Sequence, residues 1–455
     1  MRVYASVLRI PDYRKLWFGA VISLLGDGAT WTALAWIAVS TGGAGTLGVL
    51  GVCYSAPVLL GGLLAGKVVD RFSRRKLLVF DSLVRGAAML AVPLLYVTDV
   101  LDPWHLYVVA AVFGLFKIIP IGIIPAVLPD LVPKKQLPTA IALEAVAYGA
   151  AGMLGPALGG LLIPLIGGYW VLALDCVSYL VFAGLVLSLK ARLDRPGAGA
   201  ETTGDRNGVS TERSSWRPVV AFVVRDRVML VITITFTIFN VAMGMLIVAQ
   251  PWLAHERLPG GATMLGVLVG GLAGAEMIGS LIAGAIKPAV RPMLRIGLLQ
   301  VISGSGLLLL LGANPVLILV GQVVCGLPAM LMTVSSQSVR YQRTPEVLRG
   351  RTMTLMRTLM HSAYPLGAIV AGPLLAGDHY TVVVLAMAVA AGAPGLLTLG
   401  LVRNAVVNKR EPETPAGPES GTPAESETPA GSAAQAAAEP VGQTPVLAAR
   451  SAQDG

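Results

Sequence analysis

From residue 16 to residue 402 the chain is a succession of apolar stretches, and the turns between them alternate between strongly basic and nearly uncharged. About 20 apolar residues, rising 1.5 Å each as a helix, match the ~30 Å hydrocarbon core of a bilayer. Such windows fall at 16–40, 43–66, 77–97, 104–127, 139–165 and 170–189, then at 228–250, 262–286, 294–312, 315–338, 352–376 and 381–402. Lipid offers the backbone no hydrogen-bond partner, so runs of this length must satisfy their amides internally, as helices. The pattern predicts an all-α membrane protein of twelve transmembrane helices, six before and six after a polar gap.

The cations fix a direction. All but four of the 34 (Arg85, Lys117, Arg257 and Arg357) lie in the first fifteen residues, in the turns at 66–76, 128–138, 287–295 and 339–351, in the gap at 190–227, or after 402. If twelve spans alternate, these segments all share one side, and the positive-inside rule makes that side the cytoplasm, with both termini in it. The formal charge of +9 is thereby accounted for; no basic stripe interleaved with aromatics suggests a nucleic-acid partner. Only 13% of residues are charged, against about 25% in soluble domains. Cys53, Cys176 and Cys325 each stand within an apolar run, far apart, and read as small hydrophobes; no disulfide framework or metal site is expected. The first apolar run is too long for a cleaved signal segment.

The organisation read from this is a half at 1–189, a cytoplasmic connector at 190–227, a half at 228–402, and a Pro/Ala/Glu/Thr-rich tail at 403–455 that cannot bury a core and is expected to be disordered. The halves echo each other. GPALGG begins at Gly155 and GPLLAG at Gly372, while LLAGK at 63–67 and LIAGA at 281–285 recur at nearly the same offset. The repeat places Glu144 of the fifth run and His361 of the eleventh at equal depth.

Ionisable groups at mid-membrane are expensive and mark cavities or partners. Asp27 lies about 18 Å into the first span at 1.5 Å per residue, Lys117 at similar depth in the fourth, and Glu276 near the middle of the eighth. Candidates for carrying a proton are Asp27, Glu276, Glu144 and His361, with Arg357 or His361 expected to partner Glu276. Candidates for lining a substrate cavity are Trp31, Lys117, Asn240 and Arg357. An acid beside aromatics suits an apolar or cationic organic molecule, although tryptophan also serves as an interfacial anchor. Asp175 is expected near the solvated outer end of its span. Asp70 is expected to cap the third span or hold a cation across the turn, and Asp81 and Arg85, spaced i, i+4, to pair.

Residues 66–78, GKVVDRFSRRKLL, fit G-x-x-x-D-R-x-x-R-R-x-x-L, with Ser73 where the usual pattern has glycine. The segment resembles the signature between spans 2 and 3 of the major facilitator superfamily. AGMLGPALGG at 151–160 resembles that superfamily's span-5 antiporter signature, carried here by Gly152, Gly155, Pro156 and Gly159; close helix packing is the plainer reading of the same residues. YRKLWFGAVISLLGDGATWTALAW, LPDLVPKKQLPTA and LRGRTMTLMR are similar to the branch of macrolide, multidrug and siderophore exporters.

The resemblance implies two parallel halves around a midplane site, with spans 1 and 4 lining the cavity and hence an Asp27–Lys117 pair. It implies a conformational latch of Gly66, Asp70, Arg71, Arg74, Arg75, Asp81 and Arg85. It further implies proton-driven export of a drug, antibiotic or secondary metabolite by alternating access, through a monomer in the bacterial inner membrane. The partners are then substrate, protons and lipid bilayer, and the proton gradient replaces any cofactor. Alternatives are an uptake symporter for a small metabolite and, from a different class, a non-transporting sensor or scaffold using the tail. No phosphate loop or dinucleotide fingerprint occurs and the four histidines are scattered, so no enzyme is expected.

Overall fold

The computed structural model describes residues 6–191, 193, 217–286, 291–312, 314–345 and 348–408, except the side chains of 59–60, 62–71, 350 and 400–408. Most of the connector, the tail from 409, and the side chains of Gly66, Asp70 and Arg71 therefore lie outside the described residues.

Eleven helical stretches are long and apolar enough to cross a membrane. The first, Pro11–Val58, has 48 residues, about 72 Å at 1.5 Å per residue and more than twice the hydrocarbon thickness. Within the parent helix Pro11–Arg71 the backbone leaves helical geometry at Gly43, with φ 63° and ψ −159°, a conformation open to glycine and strained for other residues. Gly43 divides this stretch into spans 1 and 2, giving twelve crossings in agreement with the hydropathy pattern. The others are span 3 (Arg74–Val97), span 4 (Pro103–Leu131), span 5 (Leu137–Ile166), span 6 (Gly168–Leu187), span 7 (Arg227–Glu256), span 8 (Gly261–Ala285), span 9 (Pro292–Leu308), span 10 (Pro315–Arg343), span 11 (Arg349–Ala376, in two pieces) and span 12 (Tyr380–Asn408). Span 12 stays helical through 403–408, six residues past its expected end. A short helix, Arg217–Arg225, buries Val219 and Val223 ahead of span 7.

Local chemistry sets the ends. Ser73, the residue that replaces the signature glycine, caps span 3 by accepting from the Lys76 amide; the expected role of Asp70 falls outside the described residues. Asp226 accepts from the amides of Val228 and Met229 at the start of span 7, and Asn314 from Val316 before span 10. Two spans are broken. Span 4 divides at Lys117 into Pro103–Phe116 and Ile118–Leu131, where Pro120 supplies no amide to the preceding turn. Span 11 divides into Arg349–His361 and Tyr364–Ala376, with Pro365 just past the gap.

The described residues, all within 6–408, form one unit, and its helix neighbours repeat between halves. Span 3 packs on span 6 and span 9 on span 12; spans 2 and 4 meet, as do spans 8 and 10. The halves join through span 5 against span 8 and span 2 against span 11, two contacts that the internal repeat exchanges. Both rely on missing side chains. A Cβ on Gly160 would fall 2.6 Å from the Gly266 Cα, and one on Gly48 2.7 Å from the Gly372 Cα, distances that only glycine backbones tolerate. All four glycines lie toward the end away from the basic turns, called here the far end.

Candidate functional site

The N-terminal half encloses a cluster of charges from three spans. Arg85 of span 3 is 1% exposed. Its Nη1 donates to both carboxylate oxygens of Asp27 at 3.1 and 3.3 Å, and its Nε to both oxygens of Asp81 at 3.1 and 3.2 Å. Nη2 also donates to Asp81. Tyr179 of span 6 completes the arrangement, donating to Asp27 at 2.6 Å while its oxygen accepts from Arg85 at 3.1 Å. The expected i, i+4 pair thus forms, but inside the protein, where one guanidinium serves two buried carboxylates.

Asp27 is therefore bound to Arg85 and Tyr179, and the expected ion pair with Lys117 is absent among the described residues. Lys117 donates to the Tyr54 hydroxyl at 2.8 Å, and the Tyr54 ring packs at a tilt against Trp31, centroids 4.6 Å apart. Asp175 departs from expectation as well. It is 3% exposed rather than solvated, accepts from Thr30 at 2.6 Å and Ser178 at 2.7 Å, and has no cation partner among the described residues. Gly26 makes room for it, since a Cβ there would collide with Asp175 Oδ1. Sequence reasoning does not single out Tyr179 or Asp175 as members of the site. The available signal is the polar triplet Asp175, Ser178 and Tyr179 on one apolar span.

Two cavities of about 20 Å³ adjoin this cluster, each large enough for one water. Asp27, Arg85, Lys117 and Tyr148 line one; Glu144, Tyr13, Trp17 and again Tyr148 line the other. The buried Tyr148 hydroxyl, four residues on from Glu144, borders both and has no protein partner among the described residues.

The C-terminal half holds a larger space, a cavity of about 590 Å³, within the 300–1,000 Å³ of small-molecule sites. Its walls include Phe236, Phe239, Met243, Met330, Met360 and Tyr364, and its charged groups are Glu276, Arg340, Arg357 and His361. It reaches Gln337 and Tyr341 in the last turns of span 10, at the basic end. Asn240 lies on its wall and donates to the Met360 carbonyl at 2.9 Å, in the last turn before span 11 breaks. Glu276 forms no ion pair with Arg357 or His361; His361 Nδ1 lies 2.9 Å from the Arg357 carbonyl within its own helix. Of the four residues expected to line a substrate cavity, Asn240 and Arg357 line this one, while Trp31 and Lys117 belong to the packed N-terminal half. Arg340, which spacing does not single out because it reads as one of the basic turn residues, is 6% exposed on the same wall.

The described members of the latch segment make their contacts within the N-terminal half. Arg74 pairs with Asp130 at 3.5 Å, and Arg75 donates to the carbonyls of Leu189 and Ala191 at 2.8 and 2.7 Å. These bonds tie the start of span 3 to the ends of spans 4 and 6. The span-5 glycines pack closely. Gly155 and Gly159 abut Gly28 and Ala29 of span 1, Pro156 touches Gly28, and Gly152 faces Ala273 of span 8. At the far end, Thr263 donates to the Gly160 carbonyl at 3.1 Å, and the Trp36 and His255 rings meet at 5.3 Å with their planes tilted by 59°. The halves are thus joined at the far end, and the large cavity extends to the basic end.

The chain and its fold have counterparts among known proteins. The chain is 27% identical over 413 residues to the multidrug efflux pump Tap of Mycobacterium bovis, covering 86% of this chain and 96% of that protein. It is 26% identical over 387 residues to the Tap pump of Mycolicibacterium fortuitum, covering 81% and 91%. Among solved structures, the nucleoside transporter NupG superposes with a TM-score of 0.63 at 13% identity, covering 86% of this chain and 99% of that one. The family model described as Major Facilitator Superfamily matches residues 16–368. The chain belongs to the Major Facilitator Superfamily and is a multi-pass membrane transporter, not an enzyme.

Proposed function

We propose that the chain exports small organic molecules in exchange for protons, with its basic end and both termini in the cytoplasm. Export is supported by the relatives named as multidrug efflux pumps, and the orientation by the basic turns. The observation that carries the proton reading is the charge count around Arg85. The carboxylates of Asp27, Asp81 and Asp175 outnumber the cations Arg85 and Lys117 in one buried region, so one proton neutralises the surplus.

Protonation of Asp27 weakens its hold on Arg85 of span 3 and Tyr179 of span 6. That changes the relative stability of two packings of spans 1, 3 and 6 and so biases alternation. Glu144 and Tyr148 supply a path, with a water in each small cavity linking them to Asp27. The large cavity takes the substrate from the cytoplasm, and Glu276 and His361 on its wall let substrate and proton compete there. The transporter acts as a monomer and draws on the proton gradient alone.

The test is accumulation of fluorescent cationic, neutral and zwitterionic compounds in an efflux-deficient host, with and without a protonophore. The reading expects lowered accumulation that the protonophore abolishes and that Asp27→Asn loses. Export that survives collapse of the gradient, or accumulation raised by the chain, contradicts it.

A further inference from the structure

We propose that the large cavity selects zwitterions, binding the acidic group of the substrate at Arg340 and its ammonium at Glu276; this rests on reading the cavity as the substrate site. Arg340 is buried, yet among the described residues it has no carboxylate partner. Its Nε reaches the Ser336 carbonyl at 3.4 Å, and its Nη1 only the Met360 sulfur at 3.7 Å. A buried guanidinium with a carbonyl and a thioether for company is expensive. Arginine's planar fork is built for bidentate contact with a carboxylate or phosphate.

Glu276 shows the complementary deficit on the same cavity. It forms no hydrogen bond or ion pair with any described residue. Two opposite charges facing one space, neither paired with the other nor ion-paired with any other described residue, are left for groups that arrive with the ligand. A purely cationic molecule would satisfy Glu276 but meet Arg340 and Arg357. A purely anionic one would satisfy the arginines and leave Glu276 alone. A zwitterion pairs both ends, while Phe236, Phe239, Met243 and Tyr364 cover an apolar body between them.

Two matched pairs test this in proteoliposomes carrying the full chain: rhodamine 110 with its methyl ester rhodamine 123, and norfloxacin with its ethyl ester. Esterification removes the anion and leaves the cation. The wild type should transport both acids with higher apparent affinity than their esters. Arg340→Gln should weaken the acids about tenfold or more and leave the esters transported as well as or better than by the wild type, because a repelling cation is gone, which also shows that the variant folds. Arg340→Lys should recover much of the loss, and Glu276→Gln should weaken acids and esters alike. Preference of the wild type for the esters, or equal loss of acid and ester in Arg340→Gln, overturns the assignment while the efflux reading stands. Transport of none of the four compounds removes both.

Discussion

Replacing Arg85 by glutamine should destabilise the folded protein by about 3–5 kcal/mol, the cost of leaving buried charge uncompensated. Its guanidinium contacts Asp27 at 3.1 Å and holds Asp81 through three hydrogen bonds. At an effective dielectric of ~20, each charge pair some 4 Å apart is worth about 4 kcal/mol, and desolvating the ions takes back most of that. The net value of the intact cluster is therefore small, and the large effect comes from breaking it on one side. Arg85→Gln combined with Asp81→Asn should accordingly recover a substantial part of the loss, because the second change removes one stranded carboxylate. Reversible unfolding of the four proteins in bicelles, read by tryptophan fluorescence, gives the double-mutant cycle. A loss under about 1 kcal/mol in Arg85→Gln, or strictly additive changes, would refute the reasoning.

Other outcomes follow from separate contacts. Gly160→Leu should force spans 5 and 8 apart at the far end, where a Cβ alone falls 2.6 Å from the Gly266 Cα; spin labels on exposed Val100 and Val316 should report a longer distance, and an unchanged distribution contradicts the close approach. Asn240→Leu strands the Met360 carbonyl and should lower stability by about 1–3 kcal/mol, whereas a neutral result by thermal unfolding removes that role. Tyr148→Phe should slow proton-coupled exchange at unchanged stability, and wild-type rates exclude the hydroxyl from the path. Burial pushes the Asp226 carboxyl up, but its bonds from Arg343, Met229 and Val228 outweigh this and hold it below its ordinary 3.8. A depressed carboxyl stabilises the fold above its unfolded value and loses that contribution as pH falls through the folded one. The wild type should lose stability below about pH 4 more steeply than Asp226→Asn, and parallel curves contradict the link.

The crossings are legible in the sequence because hydrocarbon thickness imposes a length and the cations impose a direction. Even the Gly43 break shows, as a gap between windows at 40 and 43. Partner choice is not legible, since depth fixes only one coordinate. Level matches Asp27 with Lys117, but each residue turns about 100° around a helix axis, and that rotation presents Arg85 of span 3 to Asp27 instead. Asp175 departs for a related reason. Its distance from the outer end implies water, while packing against Gly26 decides that it is buried. Tyr179 carries no formal charge, so a search for intramembrane charges passes over it. The large cavity is assembled from spans 7, 8, 10 and 11, a set that chain order alone does not bring together.

The central claim is exchange of substrate for protons through the buried carboxylates of the N-terminal half. The most direct measurement is proton flux in proteoliposomes containing a pH dye, with no imposed membrane potential, when an outward rhodamine or norfloxacin gradient is applied. The account predicts substrate-driven proton movement in the opposite direction, abolished by Asp27→Asn although the variant remains folded and binds substrate. Substrate movement without proton flux, or proton movement in the same direction as substrate, would contradict it.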